Sequence, residues 1–131
     1  MDYQADEASI DAFQRQILKC YVLNIKWPQK IRTIDIYKQT GQKPWSRIIA
    51  HRRLSWFSHL ARLPENTPAK RALRFALKPV RLPRGKPKIT WITIIKKQLK
   101  EELWIPSILT ALKKAQNREQ WSSLVNRKCA V

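Results

Sequence analysis

The sequence predicts an all-α protein: about six amphipathic helices in a small bundle, split by a basic, proline-rich loop near residues 79–89. Three observations predict it. Only two of the 131 residues are glycine, and helix-forming types dominate the rest. Apolar residues recur at three- and four-residue spacing over most of the chain. The eight prolines fall at the ends of those periodic segments or in the loop at 79–89, where a missing N–H and a restricted φ are tolerated. With 44% hydrophobic residues and six tryptophans, the composition supports a folded core.

Taken in order, residues 1–8 read as an acidic flexible tail. Ser9 suits an N-cap for a helix to about Asn24, with Ile10, Phe13, Ile17, Tyr21 and Leu18, Val22, Ile25 on one side. Trp27-Pro28 ends it. Thr33 is expected to cap a short helix that stops at Gly41 in a left-handed C-cap conformation. Pro44 opens the next helix, to about Leu63. Its apolar side holds Trp45, Ile48, Ile49, Leu54, Trp56, Phe57, Leu60 and Leu63, and Arg47, His51, Arg52, Arg53, His59 and Arg62 supply the rest. Pro64 stops it. Thr67-Pro68 opens a helix with Ala69, Ala72, Leu73, Ala76 and Leu77 inward and Lys70, Arg71, Arg74 and Lys78 outward.

Beyond the loop, Thr90 caps a helix with Trp91, Ile94, Ile95 and Leu99 inward and Lys96, Lys97 and Lys100 outward. Pro106 begins another, carrying Ile108, Leu109, Leu112 and Ala115. Asn117 with Gln120 three residues later reads as a capping box for a last helix that buries Trp121, Leu124 and Val125. The organisation implied is an N-terminal helical half, 9–78, an extended basic linker, 79–89, and a C-terminal helical half, 90–128.

Charge narrows the function. The chain carries 27 Lys and Arg against nine Asp and Glu, a net charge of +18, and residues 12–131 hold all 27 bases against five acids. So strong a field opposes compaction unless polyanions screen it, and nucleic acid, DNA or RNA, is the partner expected. No apolar run approaches the roughly 18 residues of a membrane span. The acidic N-terminus lacks a secretory signal pattern. Neither a membrane, nor secretion, nor a small-molecule substrate is expected. Two cysteines give no disulfide framework and point to a reducing compartment, the nucleus or a cytoplasmic ribonucleoprotein.

The chemistry-bearing residues argue against an enzyme. Asp35, Glu65, Glu101, Glu102 and Glu119 are scattered, whereas a metal-dependent nuclease or polymerase needs clustered carboxylates. Glu101 and Glu102 are neighbours, but successive helical residues point about 100° apart. Cys20, His51, His59 and Cys129 are zinc-ligating types without the short paired spacings of zinc modules. No metal and no cofactor is expected, and His51 and His59 suit a core edge or a phosphate contact. Trp45, Trp56, Trp91 and Trp121 fit core anchors. Trp27 and Trp104, near helix ends, are the better base-stacking candidates.

The stretch from Lys78 to Trp91, KPVRLPRGKPKITW, contains no acid. Its prolines disfavour helix and central strand, which leaves an extended basic ribbon suited to a narrow anionic groove. Within it, Pro83-Arg84-Gly85-Lys86-Pro87 is similar to the core of an AT-hook, usually Arg-Gly-Arg-Pro, which lies in the minor groove of A·T-rich DNA. Lys86 stands where that motif has its second arginine and keeps the charge without the planar guanidinium. The plainer alternative is a solvated linker.

Several stretches, in order, resemble the C-terminal region of reverse transcriptases from LINE-type (non-LTR) retrotransposons. They are Ile10-Asp11-Ala12-Phe13 with Arg15 and Leu18; Asn24-Ile25-Lys26-Trp27; Arg52-Arg53-Leu54-Ser55-Trp56-Phe57 with His59 and Arg62; Pro83 to Pro87 with Thr90-Trp91; and Asn117-Arg118 with Trp121 and Cys129. Ser58 departs from the pattern, standing where this family usually has glycine before the histidine. The resemblance implies a region beyond the polymerase palm and fingers that helps hold template RNA or target DNA. The family's catalytic aspartates and endonuclease have no counterpart, so the chain reads as a fragment or remnant without catalysis of its own. The residues expected to meet nucleic acid are Arg52, Arg53, His59, Arg62, Arg81, Arg84, Gly85, Lys86, Lys88 and Trp91. The alternative is a protein-interaction module docking on the polymerase part of the same element.

Overall fold

A computed structural model describes residues 3–79, 81, 83–86 and 88–128. Among these the protein is all-α, with no strand. Seven α-helices follow one another: α1 (Tyr3–Ile17), α2 (Thr33–Thr40), α3 (Trp45–Arg62), α4 (Pro68–Leu77), α5 (Trp91–Glu101), α6 (Ile108–Ala115) and α7 (Arg118–Lys128). A π-helical turn, Leu18–Val22, continues α1. Among the described residues no helix is long and apolar enough to cross a membrane. The chain divides into two compact units, the first ending at Ile49 and the second starting at Ala50, within α3.

In the first unit, α1 begins at Tyr3, so residues 3–8 are helical rather than a flexible tail. Ser9 is not the cap: its Oγ donates to the Ala5 carbonyl from inside the helix, at 2.9 Å. Asp6 lies in the first turn, where a carboxylate is favoured by the helix dipole. The π-helical turn shifts the angular register after Ile17, which breaks the apolar stripe anticipated through Val22. Leu18 and Ile36 are buried, but Phe13, Tyr21 and Val22 are exposed.

The interior of this unit is joined by polar bonds. Buried Gln14 donates through Nε2 to the Lys43 carbonyl at 2.8 Å. Its Oε1 accepts from the Trp45 N–H at 2.9 Å and the Tyr37 hydroxyl at 3.4 Å. Asp11 accepts from the Ser46 N–H at 2.9 Å and the Ser46 hydroxyl at 2.6 Å. It thereby caps the N-terminus of α3 from a distant helix, a task that Pro44 cannot perform with a side chain. Gly41 takes φ 64° as the expected C-cap of α2, whose N-cap is Arg32 rather than Thr33.

The second unit has one main core. Leu54, Phe57 and Ala61 of α3 meet Ile95 and Leu99 of α5, Ala111 and Ala115 of α6, and Trp121 and Val125 of α7, with Leu103 and Ile105 between. The Phe57 and Trp121 rings lie 5.7 Å apart. Trp121 donates its indole N–H to the Leu54 carbonyl at 3.0 Å. Leu60, Leu73 and Ile92 form a smaller cluster, against which Leu63, Leu77, Trp91, Ile108 and Leu112 pack. Because α3 shares its core with α5, α6 and α7, the helices on either side of the loop are not separate halves.

Helix C-termini are closed by side chains from other helices. Lys70, expected outside, is buried and donates its ammonium to the Ala61 carbonyl. Gln116 donates to the same carbonyl at 3.0 Å. Arg62 donates to the Ala115 carbonyl at 3.0 Å. A cation is stabilised at these carbonyl ends, and the three bonds tie α3, α4 and α6 at one point. Conversely Ala69, Ala72 and Ala76, expected inward, are exposed.

Candidate nucleic-acid interface

Of the ten residues expected to meet nucleic acid, seven fall in two places within the second unit. The first is a cleft of about 570 Å³ between α3 and α7. From α3 it is lined by His51, Ser55, Ser58, His59 and Arg62, and from α7 by Arg118, Trp121, Ser122, Val125 and Asn126. On α3 the intervals of four, three and four residues from His51 through Ser55 and Ser58 to Arg62 keep these side chains on one face. Arg118, Ser122 and Asn126 repeat at four-residue intervals on α7 and supply the opposite wall.

His51 Nε2 and Asn126 Oδ1 lie 2.8 Å apart across this cleft. The His59 ring stacks on Trp56, with centroids 5.0 Å apart. Ser58 is buried and its hydroxyl donates to the Ser55 carbonyl at 2.9 Å, which places an oxygen in the cleft wall. Arg62 uses one Nη for the Ala115 carbonyl and keeps further N–H donors. The cleft offers two cationic guanidinium groups and several hydroxyl and amide donors, which suits an oxyanion.

The second place is the ribbon. Pro79, Arg81, Pro83 to Lys86, Lys88 and Ile89 lie outside any helix and are exposed. Among the described residues Arg84, Lys86 and Lys88 have no acidic partner. Gly85 takes φ 129°, a backbone region that side-chain-bearing residues avoid, and a Cβ there would meet nothing within 4 Å. The glycine is therefore needed for the turn of the backbone and not for space. Both ends of the loop are anchored on the smaller core cluster, by Leu77 before it and Trp91 after it. The ribbon is a pinned loop of an Ω-loop's length and not a joint between halves. Trp91 is half-buried and serves as its anchor.

The other expected residues are not brought together. Arg52 is exposed on α3, one residue beyond His51, and Arg53 is half-buried, about 200° around the helix from His51. Pro87 and Cys129, which belong to the sequence motifs, lie outside the described residues. Trp45 and Trp56 are exposed, against the expectation of core anchoring, while Trp121 is fully enclosed. Trp27 and Trp104 stand out in solvent at 93% and 76% exposure. Among the described residues no three of His, Cys, Asp and Glu gather closely enough to hold a metal ion.

The α7 wall was missed in the sequence. Arg118, Ser122 and Asn126 form a polar helical stripe, which resembles any solvated face until α3 is set opposite it. No family model, no curated protein and no solved structure matches this chain.

Proposed function

We propose that the chain is a nucleic-acid-binding accessory region that holds template RNA or target DNA, as the C-terminal part of a LINE-type reverse transcriptase would, with no catalytic centre of its own. The observation that carries this reading is the distribution of charge. Residues 50–131 hold 19 Lys and Arg against four acids, so +15 of the net charge belongs to the unit with the cleft and the ribbon. Arg81, Arg84, Lys86 and Lys88 meet phosphates along the exposed loop, and His59, Arg62 and Arg118 meet one in the cleft. Such contacts recognise the backbone and are blind to sequence. Its place is the nucleus or a cytoplasmic ribonucleoprotein.

Binding to a duplex and to a single strand, measured at several salt concentrations, tests this. Replacing Arg84 and Lys86 together by alanine should flatten the slope of log K against log salt by about 1.8 on duplex DNA, near 0.9 for each phosphate released. Arg118→Ala should flatten it by about 0.9 on the same scale. Arg118 is the better probe of the cleft, because Arg62 also ties α3 to α6. Slopes unchanged in all variants would exclude the ribbon and the cleft as the interface.

The exposure of Trp27 and Trp104 supports a second reading, an interaction module seated on the polymerase part of the same element. Co-expression with such a polymerase distinguishes it. A complex that survives moderate salt, and is lost in Trp104→Ala, supports docking, whereas separation of the two chains rejects it.

A further inference from the structure

Outside the cleft and the ribbon, the outer face of α4 carries an arrangement that neither uses. Arg71, Arg74, Phe75 and Lys78 follow one another at intervals of three, one and three residues, which gathers them within about 100° of the helix circumference. Lys70, Leu73 and Leu77, the residues α4 turns towards the core, centre about 120° further round the helix, with Leu77 at the edge between the two faces. Phe75 is therefore no misplaced core residue, and it is 70% exposed. Arg71, Arg74, Phe75, Leu77, Lys78 and Pro79 line a shallow groove of about 640 Å³ there. The groove ends where the ribbon begins, so the chain leaves this aromatic surface directly into Arg81, Arg84, Lys86 and Lys88.

We propose that this face of α4 is a platform for single-stranded nucleic acid, on which Phe75 stacks one base while Arg71, Arg74 and Lys78 hold the flanking phosphates. The proposal rests on the nucleic-acid reading above and specifies the form of polynucleotide. An aromatic ring framed by cations is the combination by which single strands are held without sequence preference, since every base has a π-face. A duplex keeps its base faces in the stack, out of reach of a side chain on a convex helix, and so offers Phe75 nothing to stack on. The acid nearby is Glu65, which pairs with Arg74 at 3.1 Å. Both side chains are more than three-fifths exposed, and a surface pair of this kind contributes little, so a phosphate can take its place beside Arg74. The surrounding charge selects a polyanion over a neutral protein surface as the occupant.

The test compares a 20-nucleotide oligothymidylate with a duplex of equal length on the full chain carrying Phe75→Ala, Phe75→Leu or Phe75→Trp. Phe75→Ala should weaken single-strand binding by roughly five- to a hundredfold, the range for losing one stacked base. Duplex affinity and both salt slopes should not change, because no charge is removed. Phe75→Leu should behave as alanine, and Phe75→Trp should bind the single strand at least as well as the wild type. Equal losses on both ligands, no loss on either, or full rescue by leucine would overturn the platform and leave the phosphate contacts standing. A wild-type chain that binds neither ligand would overturn the platform and the nucleic-acid reading together. Circular dichroism checks that each variant is folded, and the exposure of Phe75 makes the native fold the expected result.

Discussion

Gln14 shows how a residue that looks ordinary in sequence can organise a unit. A glutamine at that position suits an outer helical face, and nothing in its neighbours distinguishes it. Folded, it is buried and serves the Lys43 carbonyl, the Trp45 N–H and the Tyr37 hydroxyl. Gln14→Leu fills the same space but leaves the first two without a partner, at a cost of about 1–3 kcal/mol for each group that stays buried. Urea unfolding followed by far-UV circular dichroism should show a lower midpoint; an unchanged midpoint would mean that water replaces the amide. Trp104 makes the opposite point. It holds φ 57° while its indole stands in solvent, and the following Ile105 N–H closes on the Leu99 carbonyl at 2.9 Å. A left-handed conformation costs a side-chain-bearing residue about 1–2 kcal/mol, and glycine adds about 0.5–1 kcal/mol of unfolded-state entropy. Trp104→Gly should thus stabilise the fold by about 0.5–1 kcal/mol on these figures. A loss of stability in the same unfolding experiment would show that the indole's remaining contacts outweigh the strain.

At the scale of elements, local chemistry was the legible part. Gly41 ends α2 with φ 64°, Thr67-Pro68 opens α4, and Thr90 and Asn117 accept from the Thr93 N–H and the Gln120 N–H. Each of these signals depends on a few adjacent residues, which is why it survives without knowledge of the fold. Gly41→Ala should cost about 0.5–1 kcal/mol on the same figures, about 1–2 kcal/mol of backbone strain less the glycine entropy recovered, since a Cβ there meets nothing within 4 Å. A cost near zero in thermal unfolding would mean that α2 can end in another way. Patterns that depend on packing were not legible. α3 carries Trp45, Ile48, Ile49, Leu54, Trp56, Phe57 and Leu60 around more of its circumference than one core can cover. Periodicity alone could not separate buried Leu54 and Phe57 from exposed Trp56. Lys70 was placed outside because lysine usually is. Its burial follows from the Ala61 carbonyl at the end of a different helix, which no spacing within α4 reveals. The cleft was half legible for the same reason: Arg62, His59 and Arg118 stand in recognisable motifs, while Ser122 and Asn126 become part of a site only across from α3.

For the molecule as a whole, the uneven charge has a consequence that separates the two units. Residues 1–49 hold eight Lys and Arg against five acids, whereas residues 50–131 hold 19 against four. Self-repulsion at low salt therefore falls mainly on the second unit, and a polyanion relieves it there. A ligand that binds only the folded form stabilises it by about 2.7 kcal/mol when present at a hundred times its Kd. If the cleft, the ribbon and the α4 face are the interface, oligothymidylate at that excess should slow amide hydrogen exchange from Ala50 onward by up to roughly a hundredfold for amides that exchange through global opening of that unit. Amides of α1 and α2 should be unaffected, because their exchange reports the opening of a different compact unit. Sodium chloride in place of the oligonucleotide should give a smaller and more even protection, since it screens without bridging. Equal protection of both units by the oligonucleotide would point instead to diffuse condensation over the whole basic chain. Protection centred on residues 91–101, around Lys96, Lys97 and Lys100, with none at α4 or α7, would place the interface on α5 and reject the arrangement derived from the cleft and the ribbon.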